Sequence, residues 1–283
     1  MPSDTTKPQA SLIIAFYNNP DILDLTLAGL RRQTTRDFEI IIADDGSEER
    51  VTDYLKRLIS GSDFILKHVW QEDQGFRKNR ILNKAVLNAD SEYLIFIDGD
   101  CIPHREFIQE HLSNRRPGFC LTGRRVNLSE NILRRLSPEL IERGYLETLW
   151  PCLVFDSLFG SSRDVEKGLY IRSVLLRRML NHKQRGILGC NFSLYKSDLL
   201  AINGFDERYQ RPSIGEDSDV EFRLGLSGIR VKSLNHMAVQ YHLYHKPSER
   251  PQENLDLFSV VRAERKAYTP YGIMQEDGKN RKK

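Results

Sequence analysis

Asp98-Gly99-Asp100 follows directly on the apolar run Tyr93 to Ile97 (YLIFI), which sets two carboxylates one residue apart on a tight turn. Carboxylates are hard oxygen ligands. Two at this spacing can reach one divalent ion, or an ion and a ribose, and Mg2+ or Mn2+ bound this way keeps coordination positions open for diphosphate oxygens. The bare tripeptide is equally what an ordinary turn uses, since Asp and Gly are favoured there without any chemistry. A second acidic run, Gly215-Glu216-Asp217-Ser218-Asp219, opens an amphipathic stretch, where carboxylates also suit a helix N-terminus for electrostatic reasons alone. His242 and His245, three apart, can ligate a metal or can each serve as a hydrogen-bonded partner. No cysteine sits near them, which sets aside a Cys/His zinc site.

The surrounding elements decide between these readings. Ser11 to Phe16 (SLIIAF) reads as a buried parallel strand, broken by Tyr17-Asn18-Asn19-Pro20 and followed by a helix from Pro20 to Gln33. Phe38 to Ala43 is a second such strand ending in Asp44-Asp45-Gly46-Ser47, with a helix around Glu48 to Ile59. Phe64 to Trp70, a helix from Arg77 to Asn88, and the strand into Asp98 complete the alternation. Strands alternating with helices at this spacing imply βαβ units and a mostly parallel sheet, an α/β fold whose ligand sits beyond the strands' carboxyl ends. Tyr17-Asn18, Asp44-Asp45 and Asp98 to Asp100 all fall on that rim.

From Leu128 to Arg185 strand signals fade and the segment reads as a helical insertion rich in Arg and Leu. Its Trp150, Phe155, Phe159 and Tyr170 suit either a core or stacking on sugar rings. Strand character returns at Ile187 to Tyr195, a helix covers Ser197 to Ile202, and a short strand covers Met237 to Gln240. The expected organisation is one domain: a ligand-binding half (residues 1–127), the insertion (128–186), a second half (187–250), and a C-terminal helix with a basic tail (251–283).

The 283 residues are 40% hydrophobic and 29% charged, an ordinary globular composition. A formal charge of +3 makes no general case for nucleic acid, and none is expected as a partner. Cys101, Cys120, Cys152 and Cys190 are scattered and read as reduced thiols. No apolar run is long enough to cross a membrane, and Met1 to Ala10 has no signal-like core. A cytoplasmic chain is expected. The basic residues from Lys279 to Lys283 are either a frayed terminus or a contact with the inner face of the membrane.

The ordered set SLIIAFYNNP, FEIIIADDGS, QEDQGFRKNRILNKAV and YLIFIDGD closely resembles the nucleotide-binding half of glycosyltransferase family two, with its GT-A (Rossmann-like) fold. GCNFSLYKSDLLAINGFDE and GEDSDVEFRLGLSGIRV look like the galactosyltransferase-type C-terminal region, also seen in bacterial chondroitin-type polymerases. The resemblance spans roughly residues 10 to 125 and 187 to 246, and does not extend to the insertion or the tail.

The resemblance implies an inverting transferase that moves a sugar from a UDP-sugar to a glycan or lipid-linked glycan in surface polysaccharide assembly, using Mn2+ or Mg2+. Asp45 matches the aspartate that binds uracil, with Ala15, Phe16 and Tyr17 lining the base pocket. Arg77, or failing it Arg80, matches a basic residue near the uridine and phosphates. Asp98 is implied to bind the ribose or the metal's water, with Gly99 in the turn, and Asp100 to ligate the metal. Of the two histidines, His242, as the first residue past its strand, better matches the family's metal ligand, and His245 competes with it. Asp217 matches the base that deprotonates the acceptor, Glu216 helps orient the acceptor, and Gly189 abuts the transferred sugar. Asp219 and Glu221, deeper in the helix, fit plain capping. A nucleotidyltransferase would show a Gly-rich, Lys-bearing phosphate loop near the first strand, and none is present. An inactive carbohydrate-binding relative fits poorly with retention of Asp98, Asp100, Asp217 and His242.

Overall fold

The computed structural model describes residues 7–274 except 160, 182–184, 213–214 and 247–250, so the basic tail lies outside the described residues. Strand β1 (Ala10–Phe16) is central, paired in parallel with β2 (Phe38–Asp44) on one side. Beyond β2 lies β3 (Ile65–Trp70), also parallel. On the other side β1 pairs in parallel with β4 (Tyr93–Asp98). Both faces of β1, β2 and β4 are covered, which is why their sequences are unbroken apolar runs rather than alternating ones. Leu12, Ile14, Ile40 and Ile42 belong to one core layer, and Ile13, Ile41 and Leu94 to the layer on the opposite face.

Helix α1 (Pro20–Arg31) starts cleanly because Asn19 caps it by accepting from the Ile22 amide and Pro20 needs no amide partner. Helices α2 (Glu49–Ser60) and α3 (Lys78–Asn88) complete the βαβ units. After β4 come β5 (Cys101–Pro103), α4 (Phe107–Asn114), β6 (Phe119–Thr122) and β7 (Arg124–Asn127). Five short helices then cover residues 130–180: α5 (Glu130–Leu133), α6 (Pro138–Glu142), α7 (Tyr145–Thr148), α8 (Trp150–Phe159) and α9 (Val174–Leu180), with a 3-10 turn at Val165–Gly168. Leu146, Leu149 and Leu153 of this stretch pack on Val126, Tyr241 and Leu243.

The chain re-enters the large sheet as β8 (Asn191–Tyr195), antiparallel between β4 and β6. Helix α10 (Lys196–Ala201) and helix α11 (Glu216–Leu226) lead to β9 (Arg230–Ser233), parallel to β6 at the sheet's edge. The seven strands run β3-β2-β1-β4-β8-β6-β9. A small second sheet, β5-β10-β7, is built around β10 (Val239–His242), and α12 (Gln252–Glu264) follows it. This is the GT-A arrangement, a mostly parallel central sheet flanked by helices.

Two strand boundaries differ from expectation. The strand expected from Ile187 begins only at Asn191, because the backbone amides of residues 187 to 189 are spent on side chains, the Glu221 carboxylate, the Thr122 hydroxyl and the Asp217 carboxylate. The strand expected at Met237 to Gln240 is displaced two residues, because the Met237 and Ala238 amides both close a turn on the Leu234 carbonyl. His242 is therefore the last residue of β10, paired with Cys101 and Asn127, rather than the first beyond it.

Asp219, expected to cap the helix, makes no capping bond and pairs instead with a buried arginine. Its Oδ2 accepts from Arg223 Nη2 (2.6 Å) and Nε (2.8 Å), and Arg223 also donates to the carbonyl oxygens of Ile202 and Gly204. The pair is fully buried and fastens α11 to the end of α10.

Candidate functional site

At the carboxyl end of β1, β2 and β4 lies a cavity of about 350 Å3, lined by Ala15, Phe16, Tyr17, Asp45, Lys78 and Asp98 among others. The β2 turn supplies Asp45, whose amide donates to the Phe16 carbonyl (2.9 Å). Its Oδ2 accepts from the Arg77 backbone N–H (2.8 Å) and its Oδ1 from Gln71 Nε2 (2.6 Å). Burial pushes the Asp45 carboxyl up, and those two donors oppose the push. Its neighbour Asp44 faces away from this work, accepting from the Ser47 amide and paired with His68 Nε2 at 2.9 Å. Gly46 has φ +99°, and a Cβ there would come within 2.6 Å of the Asp73 backbone nitrogen. Only glycine lets the segment around Asp73 close over this turn.

The β4 turn is pinned from below. The Gly99 amide donates to the Ala15 carbonyl (2.8 Å), and the Gly99 carbonyl accepts from Thr26 Oγ1 (2.8 Å). The turn thereby separates its two acids. Asp98 faces the cavity and its Oδ1 accepts from Lys78 Nζ at 2.7 Å. Burial opposes the charge on Lys78, yet Asp98 and Glu216 beside it hold the ammonium well above the ordinary lysine pKa.

Asp100 faces the other way, toward β10. Its Oδ2 lies 3.4 Å from His242 Nε2 and 3.5 Å from His245 Nε2, and the two Nε2 atoms are 3.2 Å apart. Among the described residues, this is the group of His, Cys, Asp or Glu whose ligand atoms all fall within 4.8 Å of one another. Burial alone would raise the Asp100 carboxyl, but the two imidazoles outweigh it and hold it at about 2. The His245 Nδ1 sits 2.9 Å from the Lys246 carbonyl, a contact that places a proton on Nδ1 and orients the ring toward Asp100. His242 is nearly buried and His245 half exposed, so one forms the floor and the other the lip.

Beneath this cluster Cys101 and Cys190 are brought into thiol contact, although nothing in their spacing pairs them. Arg125 Nη1 donates to Cys190 Sγ (3.2 Å). That contact with Cys101, together with Arg125, lowers the Cys190 thiol, while burial raises Cys101.

The third component comes from the start of α11. Asp217 Oδ1 accepts from the Ser218 amide (2.7 Å) and its Oδ2 from the Gly189 amide (3.4 Å). A Cβ on Gly189 would stand 3.5 Å from Asp217 Cβ and 3.9 Å from Glu216 Oε1, so a side chain beyond a methyl would crowd both carboxylates. Glu216 has a buried Oε2 without a partner. Burial raises its carboxyl pKa, opposed by Lys78 and reinforced by Asp217.

The two arginines expected here are placed otherwise. Arg77 contributes its backbone amide to Asp45, while its guanidinium donates to the Phe76 carbonyl and lines a second, arginine-rich cavity of about 470 Å3 with Arg208 and Arg211. Arg80 donates to Gln74 Oε1 (3.0 Å). Lys78, between them in sequence, is the cation in the first cavity. Asp98 likewise stands outside the Asp100–His242–His245 cluster. Of the insertion's aromatic residues, Tyr170 stacks on His104 and donates to Glu110, Trp150 donates to the Val165 carbonyl, and Phe155 and Phe159 are exposed.

Residues 11–151 match the family model described as glycosyl transferase family 2, and residues 176–246 match one described as N-terminal domain of galactosyltransferase. A chondroitin synthase of Escherichia coli is 25% identical over 240 residues, 82% of this chain and 34% of that protein. The chain thus spans about a third or less of the length of the curated relatives it matches. Among solved structures, GalNAc-T7 with UDP, GalNAc and Mn2+ superposes with a TM-score of 0.57 at 15% identity, covering 95% of this chain and 53% of that one. A mannosyltransferase from Pyrobaculum calidifontis in complex with GDP-Man and Mn2+ gives 0.54 at 16% identity, covering 92% and 70%. These likenesses establish the fold.

Proposed function

Because the chain belongs to glycosyl transferase family 2, we propose that it is a metal-dependent, inverting glycosyltransferase that takes a sugar from a UDP-sugar and delivers it to a glycan or lipid-linked acceptor of a surface polysaccharide. The observation that carries this reading is the convergence of Asp100, His242 and His245 beside a cavity holding Asp45, Lys78 and Asp98.

The residues present fit a divalent cation. One carboxylate oxygen and two imidazole nitrogens lie close enough together to share one ion. Two nitrogen ligands favour Mn2+ over the strictly oxygen-seeking Mg2+. Such an ion would supply positive charge where negative charge builds on the departing diphosphate oxygen. Lys78 adds a second, fixed cation on the cavity side. Asp45, rimmed by Ala15, Phe16 and Tyr17, offers an acceptor to the uracil N–H, and Asp98 offers one to the ribose. Across from them Asp217 takes the proton of the acceptor hydroxyl as its oxygen bonds to the anomeric carbon and the bond to UDP breaks. Attack from the face opposite UDP inverts that carbon. Glu216 positions the acceptor. In this reading residues 1–127 bind donor, 187–250 supply the base and the histidines, and 128–186 contribute to acceptor binding.

The test is UDP release from a panel of UDP-sugars with Mn2+, with and without EDTA, and with GDP-mannose as a competing donor. EDTA-sensitive release of UDP supports the proposal. Absence of such release with every donor and acceptor sinks it, and release of GDP alone overturns the donor assignment.

A further inference from the structure

More than half of the exposed large apolar side chains among the described residues fall between residues 150 and 180. Helix α9 concentrates them. None of its residues is buried; Val174 is 78% and Leu175 68% exposed. Its amphipathicity runs opposite to that of an ordinary surface helix. The polar positions hold it to the protein: Arg177 makes paired contacts to Glu110 (2.5 and 3.1 Å), and Asn181 Nδ2 donates to the Asn235 carbonyl (2.8 Å). The apolar positions turn outward. Helix α8, which packs along the 3-10 turn leading to α9, exposes Phe155, Leu158 and Phe159 at helical spacing.

Charge follows the same pattern. From Lys167 to Ser197 the sequence contains no Asp or Glu. Arg172 and Arg178 flank the apolar residues of α9, exposed and without a carboxylate partner among the described residues. A protein partner would be expected to answer an apolar patch with an apolar one; unpaired arginines around exposed Leu and Val match lipid tails beneath anionic headgroups. At seven residues α9 cannot cross a bilayer, and no described helix is long and apolar enough to do so.

We propose that α9, with the outer face of α8, docks the protein on an anionic lipid surface. The inference goes beyond the transferase reading, because docking is measured without donor or turnover.

The experiment is flotation of the full chain with phosphatidylcholine vesicles and with vesicles of equal parts phosphatidylcholine and phosphatidylglycerol, at low and high salt. Binding to the anionic vesicles, weakened by salt, is expected. Val174→Glu/Leu175→Glu should abolish it, and Arg172→Ala and Arg178→Ala should each weaken it about fivefold. Thermal melting and the affinity for UDP, whose proposed site lies in residues 1–127, should stay at the unsubstituted level. No flotation of the unsubstituted chain overturns the proposal. So does undiminished flotation of the variants, which would move the contact to the basic tail. Self-association that the Val174/Leu175 variant abolishes, without vesicle binding, would assign the face to a second copy instead.

Discussion

Lys78 Nζ lies 2.7 Å from Asp98 Oδ1, where the cavity at the ends of β1, β2 and β4 approaches Glu216. The ammonium is surrounded by carboxylates and has a donor diphosphate as its remaining partner in the proposed reaction. Lys78→Met should lower kcat/KM for UDP release by about a hundredfold, as loss of one preorganised charge donor commonly does. Lys78→Arg should recover part of it. Steady-state kinetics check this, and an unimpaired Lys78→Met would remove Lys78 from the reaction.

Asp100→Asn, His242→Ala and His245→Ala should each weaken Mn2+ binding by more than the ~100-fold that losing a ligand's hydrogen-bonded support can cost. Calorimetric titration of Mn2+ into each variant checks it. The choice between the two histidines then becomes a measurement, because a normal Mn2+ affinity in one alanine variant excludes that residue.

Asp217→Asn should slow sugar transfer about 10²–10⁴-fold, the range for loss of a general base, while UDP affinity stays unchanged. Single-turnover transfer and a UDP titration on the same preparation separate these effects. Substantial residual transfer would reject the assignment in favour of Glu216.

His111 should make the fold acid-sensitive. It is fully buried, its ring nitrogens engaged by Ser193 Oγ (2.7 Å) and Asn191 Oδ1 (3.2 Å), and burial depresses its pKa to about 3. The folded group stays neutral while the unfolded one protonates near its ordinary value of ~6.5. The stabilisation is therefore complete above that value and is lost as pH falls from it toward 3, at about 1.4 kcal/mol per pH unit. Urea unfolding at successive pH values should show this slope, reduced in His111→Gln. Equal slopes would locate the acid sensitivity elsewhere.

Asp219→Ala should destabilise the fold by about 3–5 kcal/mol, because it strands the buried Arg223 guanidinium. Asp219→Leu combined with Arg223→Met should cost less than the single change. Urea midpoints decide it, and a double variant worse than the single one would mean that the pair is a net stabiliser.

Strands β1, β2 and β4 were legible because each is buried on both faces and written as a continuous apolar run, and β3, at the sheet's edge, was legible from its place in the alternation of strands and helices. The acids at their ends were legible because the sheet topology carries them to one rim. Less legible was which of the three cations in Phe76-Arg77-Lys78-Asn79-Arg80 enters the cavity. That depends on helix phase: Arg77 is the residue before α3, its amide already committed to Asp45, so the first helical side chain is Lys78. Strands β5, β6, β7 and β9 have three or four residues, too few to show a period. Without them β10 has no visible partners, and the pairing of His245 with His242 around Asp100 has no sequence signal beyond the spacing of three. Cys101 and Cys190 meet only because β5 and the turn before β8 converge.

Strand β10 is bonded to β5 on one side and β7 on the other, and the Leu243 amide donates to the Asp100 carbonyl at 2.9 Å. Asp100, just before β5, and His242, at the end of β10, are thus held side by side although 142 positions separate them. A cation gripping both would act as a clasp on the whole intervening loop, whose closure costs the unfolded chain entropy that the ion's affinity offsets. At a hundredfold excess over its Kd it would add about 2.7 kcal/mol to the folded state. Chelation would then do more than silence chemistry: it would slacken the seam that joins the two halves of the fold.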